Sequence, residues 1–319
     1  MRKILVTGAL GQIGSELVLR LREVYGKDNI IASNRRIKEG HMNLIESGPF
    51  EIVDINNMDQ MSKVVGKYKV DTIINLAAIL SAKGEKDPSS CWNINMNGLI
   101  NVLELGRAKD LQIFNPSSIA AFGSSTPPDK TPQDTIQRPT TMYGVTKVAG
   151  ELLCDYYFKK YGVDTRGVRF PGLISYETLP GGGTTDYAVH IFYKAIQHKR
   201  YTSYIDKGTY MDMMYMPDAL EAIIKLIEAD PSRLEHRNAF NVTAMSFEPE
   251  ELAASIRKHI PDFELDYDVD PVRQEIAESW PNSLDDSVAR EEWDWNPKYD
   301  LDTMVKDMLE KLKDKLGEI

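Results

Sequence analysis

Tyr143 and Lys147 stand four residues apart in MYGVTKVAGEL, a stretch that reads as the opening of a helix. One helical turn places both side chains on one face. A phenol with an ordinary pKa of about 10 is a poor base at neutral pH. An ammonium beside it stabilises the phenolate and lowers that pKa, so the pair is suited to taking a proton from a hydroxyl group. The same spacing recurs by chance, and an ordinary surface tyrosine is the alternative. Upstream, Ser118 follows a short apolar run in LQIFNPSS, with Ser117 beside it. A serine hydroxyl there could bind the reacting oxygen of an alcohol or ketone.

Gly8, Gly11 and Gly14 in TGALGQIG follow a strand and open a helix, with Gln12 and Ile13 inside the same turn. A tight turn, close backbone approach and a helix N-terminus are what a dinucleotide pyrophosphate requires; a merely structural glycine turn is the alternative. The end of the second strand carries Asn34, followed by Arg35 and Arg36. An acidic residue at this place accepts hydrogen bonds from the adenosine ribose and marks NAD. Asn34 can still bond to a ribose hydroxyl but does not repel a phosphate, and the arginines could attract one or be merely solvated. NAD is the expected cofactor, with NADP use left open. A bound nicotinamide would add its positive charge to that of Lys147 beside the phenol, and the Lys147 amine could hold the nicotinamide ribose.

These groups need a frame. The first two thirds of the chain alternate apolar strands with amphipathic helices: KILVTG, QIGSELVLRLREVYG, NIIAS, FEIVD, a helix near Met58 to Tyr68, then VDTIINLAA. A long helix is expected from about Ser89 to Ala108 and another from about Thr141 to Tyr161, before VDTRGVRF. Strands apolar on both faces between helices predict an α/β fold with a doubly wound parallel sheet of Rossmann type. Ligands bind such sheets at the carboxyl ends of the strands. Past Phe170 the rhythm changes. A Gly/Pro/Thr-rich stretch leads into a helix, a strand runs into another helix, and FNVTAMSFEPEEL reads as strand, turn and a helix capped by Ser246. The expected organisation is a dinucleotide-binding domain over 1–172 and a smaller α/β substrate-binding lobe over 173–319, with segments returning to the first domain.

Composition narrows the classes. The 319 residues are 42% hydrophobic and 27% charged with a net charge of −10, an ordinary globular balance that argues against a nucleic-acid or anionic-membrane surface. Cys91 and Cys154 are the only cysteines; their spacing fits no metal motif and predicts reduced, structural thiols. The five histidines lie outside the motifs, and no metal is expected. No apolar run approaches the ~20 residues needed to span a bilayer, and MRKILVTG reads as a strand and not as a leader. A cytoplasmic protein is expected.

The G-x-x-G-x-x-G spacing, Asp54 after FEIV, NLAA at Asn75 to Ala78, and two serines followed by YGVTK resemble the extended branch of the short-chain dehydrogenase/reductase superfamily. The resemblance implies that Ser118, Tyr143 and Lys147 form the catalytic site and that Asp54 contacts adenine. It further implies that Leu76, Ala77 and Ala78 line the cofactor and that Ile55 and Phe170 border it. Asn95, in the long helix, could hold the site and its cofactor through backbone or water contacts, or simply pack the helix.

Five segments narrow this further: LSAKGEKDP, QRPTTMYGVTK, RFPGLIS, PGGGTTDYAVHIF and ESWPNSLDDS. Together they look like the short-chain L-threonine 3-dehydrogenases over nearly the whole chain. That resemblance implies oxidation of L-threonine to 2-amino-3-ketobutyrate with NAD, in a homodimer built on long helices. The implied substrate contacts are Ser81, Ser117, Ser118 and Tyr143, joined by Gly183, Thr185, Asp186 and Trp280. GGGTTDYA would then be a substrate clamp, mobile through its glycines, or a rigid loop in which Thr184, Thr185 or Asp186 caps the next helix. Trp280 would close an apolar wall around the threonine methyl, or fill a core. Asn34 departs from the acidic residue expected for NAD, and Ser118 stands where threonine is common. Animal members are mitochondrial, yet no transit peptide precedes the first strand; that favours a bacterial-type cytoplasmic enzyme, or a chain whose leader is absent. A nucleotide-sugar epimerase or dehydratase that retains its NAD is the alternative enzyme, and a non-catalytic dinucleotide sensor the alternative from another class.

Overall fold

The computed structural model describes residues 2–178, 181 and 183–317. The expected strands form as β1 (Ile4–Thr7), β2 (Ile30–Asn34), β3 (Phe50–Ile52), β4 (Thr72–Asn75), β5 (Gln112–Phe114), a two-residue β6 (Ser117–Ser118) and β7 (Thr165–Arg166). Six of them pair in parallel in the order β3-β2-β1-β4-β5-β7. This is a Rossmann sheet, and the order reverses between β1 and β4, where such folds open a binding crevice. Its helices are α1 (Gln12–Tyr25), α2 (Met42–Glu46), α3 (Met58–Tyr68), α4 (Ser81–Lys86), α5 (Pro88–Trp92), α6 (Gly98–Lys109) and α7 (Met142–Tyr161). The single helix expected from Ser89 to Ala108 is therefore α5 and α6 joined by a π-helical turn, Asn93–Asn97. On one face of the sheet Leu5, Ile31, Ile73 and Ile113 pack with Val102 and Leu103 of α6 and Cys154 of α7. Each such side chain contributes about 1.5–3 kcal/mol by leaving water.

Contacts divide the chain into two compact units: residues 1–121, 140–169 and 220–240, and residues 122–139, 170–219 and 241–319. Short strands β8 (Val168–Phe170) and β12 (Phe240–Asn241) lie where the chain passes from one unit to the other. In the second unit β9 (Gly172–Ile174) runs parallel to β11 (Met211–Tyr215), which pairs antiparallel with β13 (Met245–Phe247). A separate ribbon joins β10 (Arg200–Ser203) to β14 (Glu264–Tyr267). Helices α8 (Tyr187–His198), α10 (Pro249–Arg257) and α13 (Leu301–Leu316) share the core of the second unit, with Phe192, Phe247, Leu252, Met308 and Leu312 buried. Helix α9 (Met216–Glu228) leads the chain into 220–240, and α11 (Pro271–Glu278) and α12 (Ser287–Trp293) come between α10 and α13. The segment 122–139 belongs here because Thr131 N–H donates to the Ser283 carbonyl at 2.9 Å and Asn282 N–H to the Pro128 carbonyl at 2.8 Å. Ser246 is not a helix cap, contrary to expectation. It lies in β13 and donates to the Asn282 carbonyl at 2.6 Å, while Pro249 starts α10 with Glu248 at the cap position. Proline at the first helical position fixes that start. No helix among the described residues is long and apolar enough to cross a membrane.

The return of 220–240 to the Rossmann unit rests on a buried arginine. Arg166, 2% exposed at the end of β7, donates to the Leu226 and Ala229 carbonyls at 2.6 and 2.7 Å and reaches Asp164 through two nitrogens. Arg237, on the returning segment itself, also pairs with Asp164, at 2.8 Å. Arg166→Ala is expected to cost about 3 kcal/mol, because it removes the hydrogen bonds to the Leu226 and Ala229 carbonyls and one of the two guanidinium partners of Asp164. Urea unfolding should show a lower midpoint, and amide exchange should rise first over 226–238. An unchanged midpoint would remove Arg166 from this role.

Candidate active site

The glycine turn is built for close approach. Gly8, just past β1, has φ +66°, and a Cβ there would fall 2.7 Å from the Leu76 carbonyl carbon. Glycine alone meets both demands. Gly11 N–H donates to the Gly8 carbonyl at 2.9 Å, and Gly11 then caps α1 without a side chain. No acidic residue occupies the first turn of α1, so the half-buried Gln12 and Ile13 and the buried Gly14 present an uncapped, electropositive helix end. These residues fit the pyrophosphate of a dinucleotide. Leu76 N–H donates to the Thr7 carbonyl at 3.2 Å, and Ala77 N–H to the Thr7 hydroxyl at 3.4 Å, which fixes the NLAA backbone beside the turn. Ala78 is exposed.

Asn34 ends β2 with its amide donating to the Arg36 carbonyl at 2.8 Å. Asp54 accepts from Asn56 N–H at 2.9 Å and lines a cleft of about 390 Å³ together with Arg35, Ile79 and Lys83. Ile55 is turned inward: a Cβ on Gly98 would sit 2.9 Å from its Cγ2, and its carbonyl accepts from Asn101. Phe170, at the end of β8, is buried as well.

Helix α7 opens with two caps. The Thr141 hydroxyl accepts from Gly144 N–H at 3.1 Å, and the Glu85 carboxylate of α4 accepts from Met142 N–H at 2.7 Å. Negative charge suits a helix N-terminus. Tyr143 is half-buried, with the Lys147 ammonium 5.3 Å from its ring centre. Lys147 also donates to the Pro116 carbonyl at 2.7 Å, two residues before Ser118. Asn95, in the π turn, accepts from Ile79 N–H at 2.8 Å and donates to the Ile79 carbonyl and to the Thr146 hydroxyl. Thr146 in turn donates to the Tyr143 carbonyl at 2.7 Å. Asn95 thus ties the loop after β4 to the first turn of α7, where it does more than pack. Ser81 is buried at the start of α4.

The two serines differ. Ser117 is buried and donates to Glu151, which also receives Arg169 at 3.0 and 2.8 Å. Both members of that ion pair are under a tenth exposed. Ser118 is half-buried and accepts from Ala120 N–H at 3.2 Å. Cys91 and Cys154 are free and buried, and burial raises both thiol pKa values, which disfavours thiolates.

In the second unit the threonines and Asp186 of GGGTTDYA form a 3-10 turn, Thr184–Asp186, that runs directly into α8; Gly182 lies outside the described residues. The Asp186 carboxylate accepts from Gly183 N–H at 2.5 Å. No side chain among Thr184, Thr185 and Asp186 caps α8 in the expected way, because the helical path already begins at Gly183 and Asp186 must reach backwards. Thr185 lies against β9: a Cβ on Gly172 would fall 2.7 Å from its Cγ2. The turn packs on α11 (Pro271–Glu278), which ends just before the half-buried Trp280. The buried tryptophans of the second unit are Trp293 and Trp295. Asp212 of β11, fully buried, accepts from the Thr243 hydroxyl at 2.6 Å and Leu284 N–H at 2.7 Å. Burial drives its carboxyl pKa well above the usual range. It anchors the segment that follows Trp280.

A family model described as the NAD dependent epimerase/dehydratase family matches residues 4–243. The chain belongs to that family. An uncharacterized epimerase/dehydratase of Staphylococcus aureus (strain USA300) is 58% identical over 99% of this chain and 98% of its own length. Among solved structures, an L-threonine dehydrogenase from Clostridium difficile is 65% identical with a TM-score of 0.97, covering 99% of this chain and 98% of that one. An L-threonine dehydrogenase from Phytophthora infestans is 51% identical with a TM-score of 0.94, covering 99% and 100%.

Within this family member, several polar residues at the sheet end escaped the sequence reading. The Thr7 hydroxyl donates to Asn75 at 2.8 Å, and Asn75 donates to Asn115 at 2.9 Å, which links the ends of β1, β4 and the loop after β5. Glu151 could have been found as the third member of a four-residue spacing after Tyr143 and Lys147; Asn115 offered no such clue. Because Ser117 serves Glu151, Ser117→Ala should lower stability by about 1 kcal/mol and Glu151→Gln by about 3 kcal/mol, since it leaves Arg169 buried without its charge partner. The two losses measured by urea unfolding should be less than additive. Additive losses would separate Ser117 from the ion pair.

Proposed function

We propose that this protein is an NAD-dependent L-threonine 3-dehydrogenase, which oxidises the Cβ hydroxyl of L-threonine to give 2-amino-3-ketobutyrate. The observation that carries this reading is the near-full-length likeness to the Clostridium difficile enzyme, which extends through the second unit as well as the Rossmann unit. The glycine turn and the uncapped end of α1 would hold the pyrophosphate; Asp54, Asn34 and the NLAA backbone would hold the rest of the dinucleotide. NAD, when bound, would supply the acceptor for the hydride leaving Cβ.

Tyr143 takes the hydroxyl proton as its phenolate, and the Lys147 ammonium stabilises that anion. Ser118 donates a hydrogen bond to the substrate oxygen as it becomes a carbonyl. Ser117 is left out of the substrate contacts in this reading, because its hydroxyl serves Glu151. Ser81, Thr185, Asp186 and the Gly183 backbone receive the ammonium and carboxylate of the amino acid, and Trp280 borders its methyl group. Short polar groups suit a substrate of this size.

Reduced-nicotinamide absorbance should rise when the protein, NAD and L-threonine are mixed. Tyr143→Phe should lower turnover by about 10²–10⁴-fold while NAD binding, read by fluorescence, persists. A variant that still turns over would remove Tyr143 as the base. A folded, NAD-binding protein inert to threonine would redirect the reading to a nucleotide-sugar epimerase or dehydratase.

The protein is further proposed to form a homodimer through α5 to α7. Trp92, Ile100, Val145, Leu152, Tyr156 and Tyr161 on these helices are exposed, with Leu152 at 62%, and pairing of two copies would cover them. Light scattering should give twice the chain mass, and Leu152→Glu should give a folded monomer. A wild-type monomer at micromolar concentration would overturn this interface.

A further inference from the structure

The cleft beside Asp54 carries positive charge from two separate segments. Arg35 follows β2, Lys83 belongs to α4, and both line the same cleft as Asp54 and Ile79. Lys38 completes the first segment: its ammonium donates to the carbonyl of Leu10, inside the glycine turn, at 2.9 Å. Desolvation, then the charges of Lys83 and Arg36, lower the Lys38 pKa. At the end of β2, where a carboxylate would accept from the ribose 2′-hydroxyl and repel a phosphate, Asn34 spends its amide on the Arg36 carbonyl. Its side chain brings no negative charge. Two carboxylates do line the cleft, Asp54 and Asp87. Each is held by its own loop, Asp54 by Asn56 N–H at 2.9 Å and Asp87 by Ser90 N–H at 3.0 Å, where Asp87 caps α5.

We propose that this cleft accepts a phosphate on the adenosine ribose, so that the protein binds 2′-phosphorylated dinucleotides as well as NAD, with Arg35 and Lys83 as the phosphate ligands. The proposal rests on the dinucleotide reading of the Rossmann unit and is independent of the substrate assigned to the second unit. Arginine and lysine suit the task differently: a guanidinium can bond to two phosphate oxygens, whereas an ammonium acts as a point charge.

The test needs no turnover. The full chain would be titrated calorimetrically with ADP-ribose and, separately, with 2′-phospho-ADP-ribose at low ionic strength. The phosphorylated ligand should bind within about threefold of the other, and raising the salt should weaken it selectively, because exposed charge pairs are screened. Lys83→Ala and Arg35→Ala should each weaken the phosphorylated ligand by about fivefold or more and leave ADP-ribose within about twofold. Asn34→Asp should shift the ratio of the two affinities by about tenfold against the phosphorylated ligand. Discrimination against 2′-phospho-ADP-ribose of about fiftyfold in the unaltered protein would overturn the proposal, as would variants that weaken both ligands equally. Failure of both ligands to bind would overturn the dinucleotide reading itself, and that result is distinct from selective rejection of the phosphorylated one.

Discussion

A buried carboxylate sets where the candidate chemistry can take place. Glu151 lies in the third turn of α7 with Arg169 on both of its oxygens and the Ser117 hydroxyl on one. Taking two charges out of water costs several kcal/mol per ion, and the cost is offset only when geometry is good and the remaining hydrogen-bonding sites are filled. Here three donors from two segments fill them, so α7 cannot slide or rotate against the 116–118 turn without losing the compensation. Tyr143 and Lys147 precede Glu151 at four-residue steps and therefore share its stripe of the helix. Lys147 repeats the grip one turn earlier, on the Pro116 carbonyl. One buried pair thus carries the register between the helix that bears the tyrosine and the strand that bears Ser118.

The same turn explains why adjacent serines are not equivalent. In a strand, neighbouring side chains point to opposite faces. Ser117 takes the inward face and is consumed by Glu151, which leaves Ser118 as the hydroxyl on the other side. A neighbouring polar chain, Thr7 to Asn75 to Asn115, holds the ends of the sheet together. Buried polar groups of this kind must be satisfied to be tolerated, and once satisfied they rigidify the rim on which ligand-binding backbone is hung.

What could be read from the sequence was local. The glycine turn, the Tyr143–Lys147 step, the alternating strands and helices, and the start of a helix near Thr141 each depend on residues within one or two turns, so their physics is visible in a short window. Asn95 is legible as a candidate and Glu151 stands one four-residue step after Lys147, but they work through partners 16 and 34 positions away, and a short window does not reveal those partners. The return of 220–240 to the Rossmann unit was visible only as a general expectation of returning segments, because its anchors, Arg166 and Arg237, look like ordinary basic residues until Leu226, Ala229 and Asp164 surround them. The misplaced cap at Ser246 has a similar origin: a serine before Phe-Glu-Pro looks like a helix start, but strand pairing with Met211–Tyr215 claims it, and Pro249 starts the helix later.

A Rossmann unit does not by itself name a reaction; the substrate must be argued from the smaller groups. Of the two readings of GGGTTDYA, the expected side-chain cap on α8 is not made, and the turn is closed on itself instead. Asp186 closes the turn on Gly183 N–H, and Gly172 lacks the side chain that would push Thr185 away. These are constraints on backbone and on short side chains. Ordering a lysine or glutamine costs about 1.5–2 kcal/mol in rotamer freedom, a large share of what so small a ligand can return in contacts. A threonine and a self-capped aspartate lose far less, and groups already ordered before the substrate arrives leave more of its binding energy for orienting the reacting carbon. A turn closed in this way would, under the proposed reading, meet a small, doubly charged substrate with groups that are already in place.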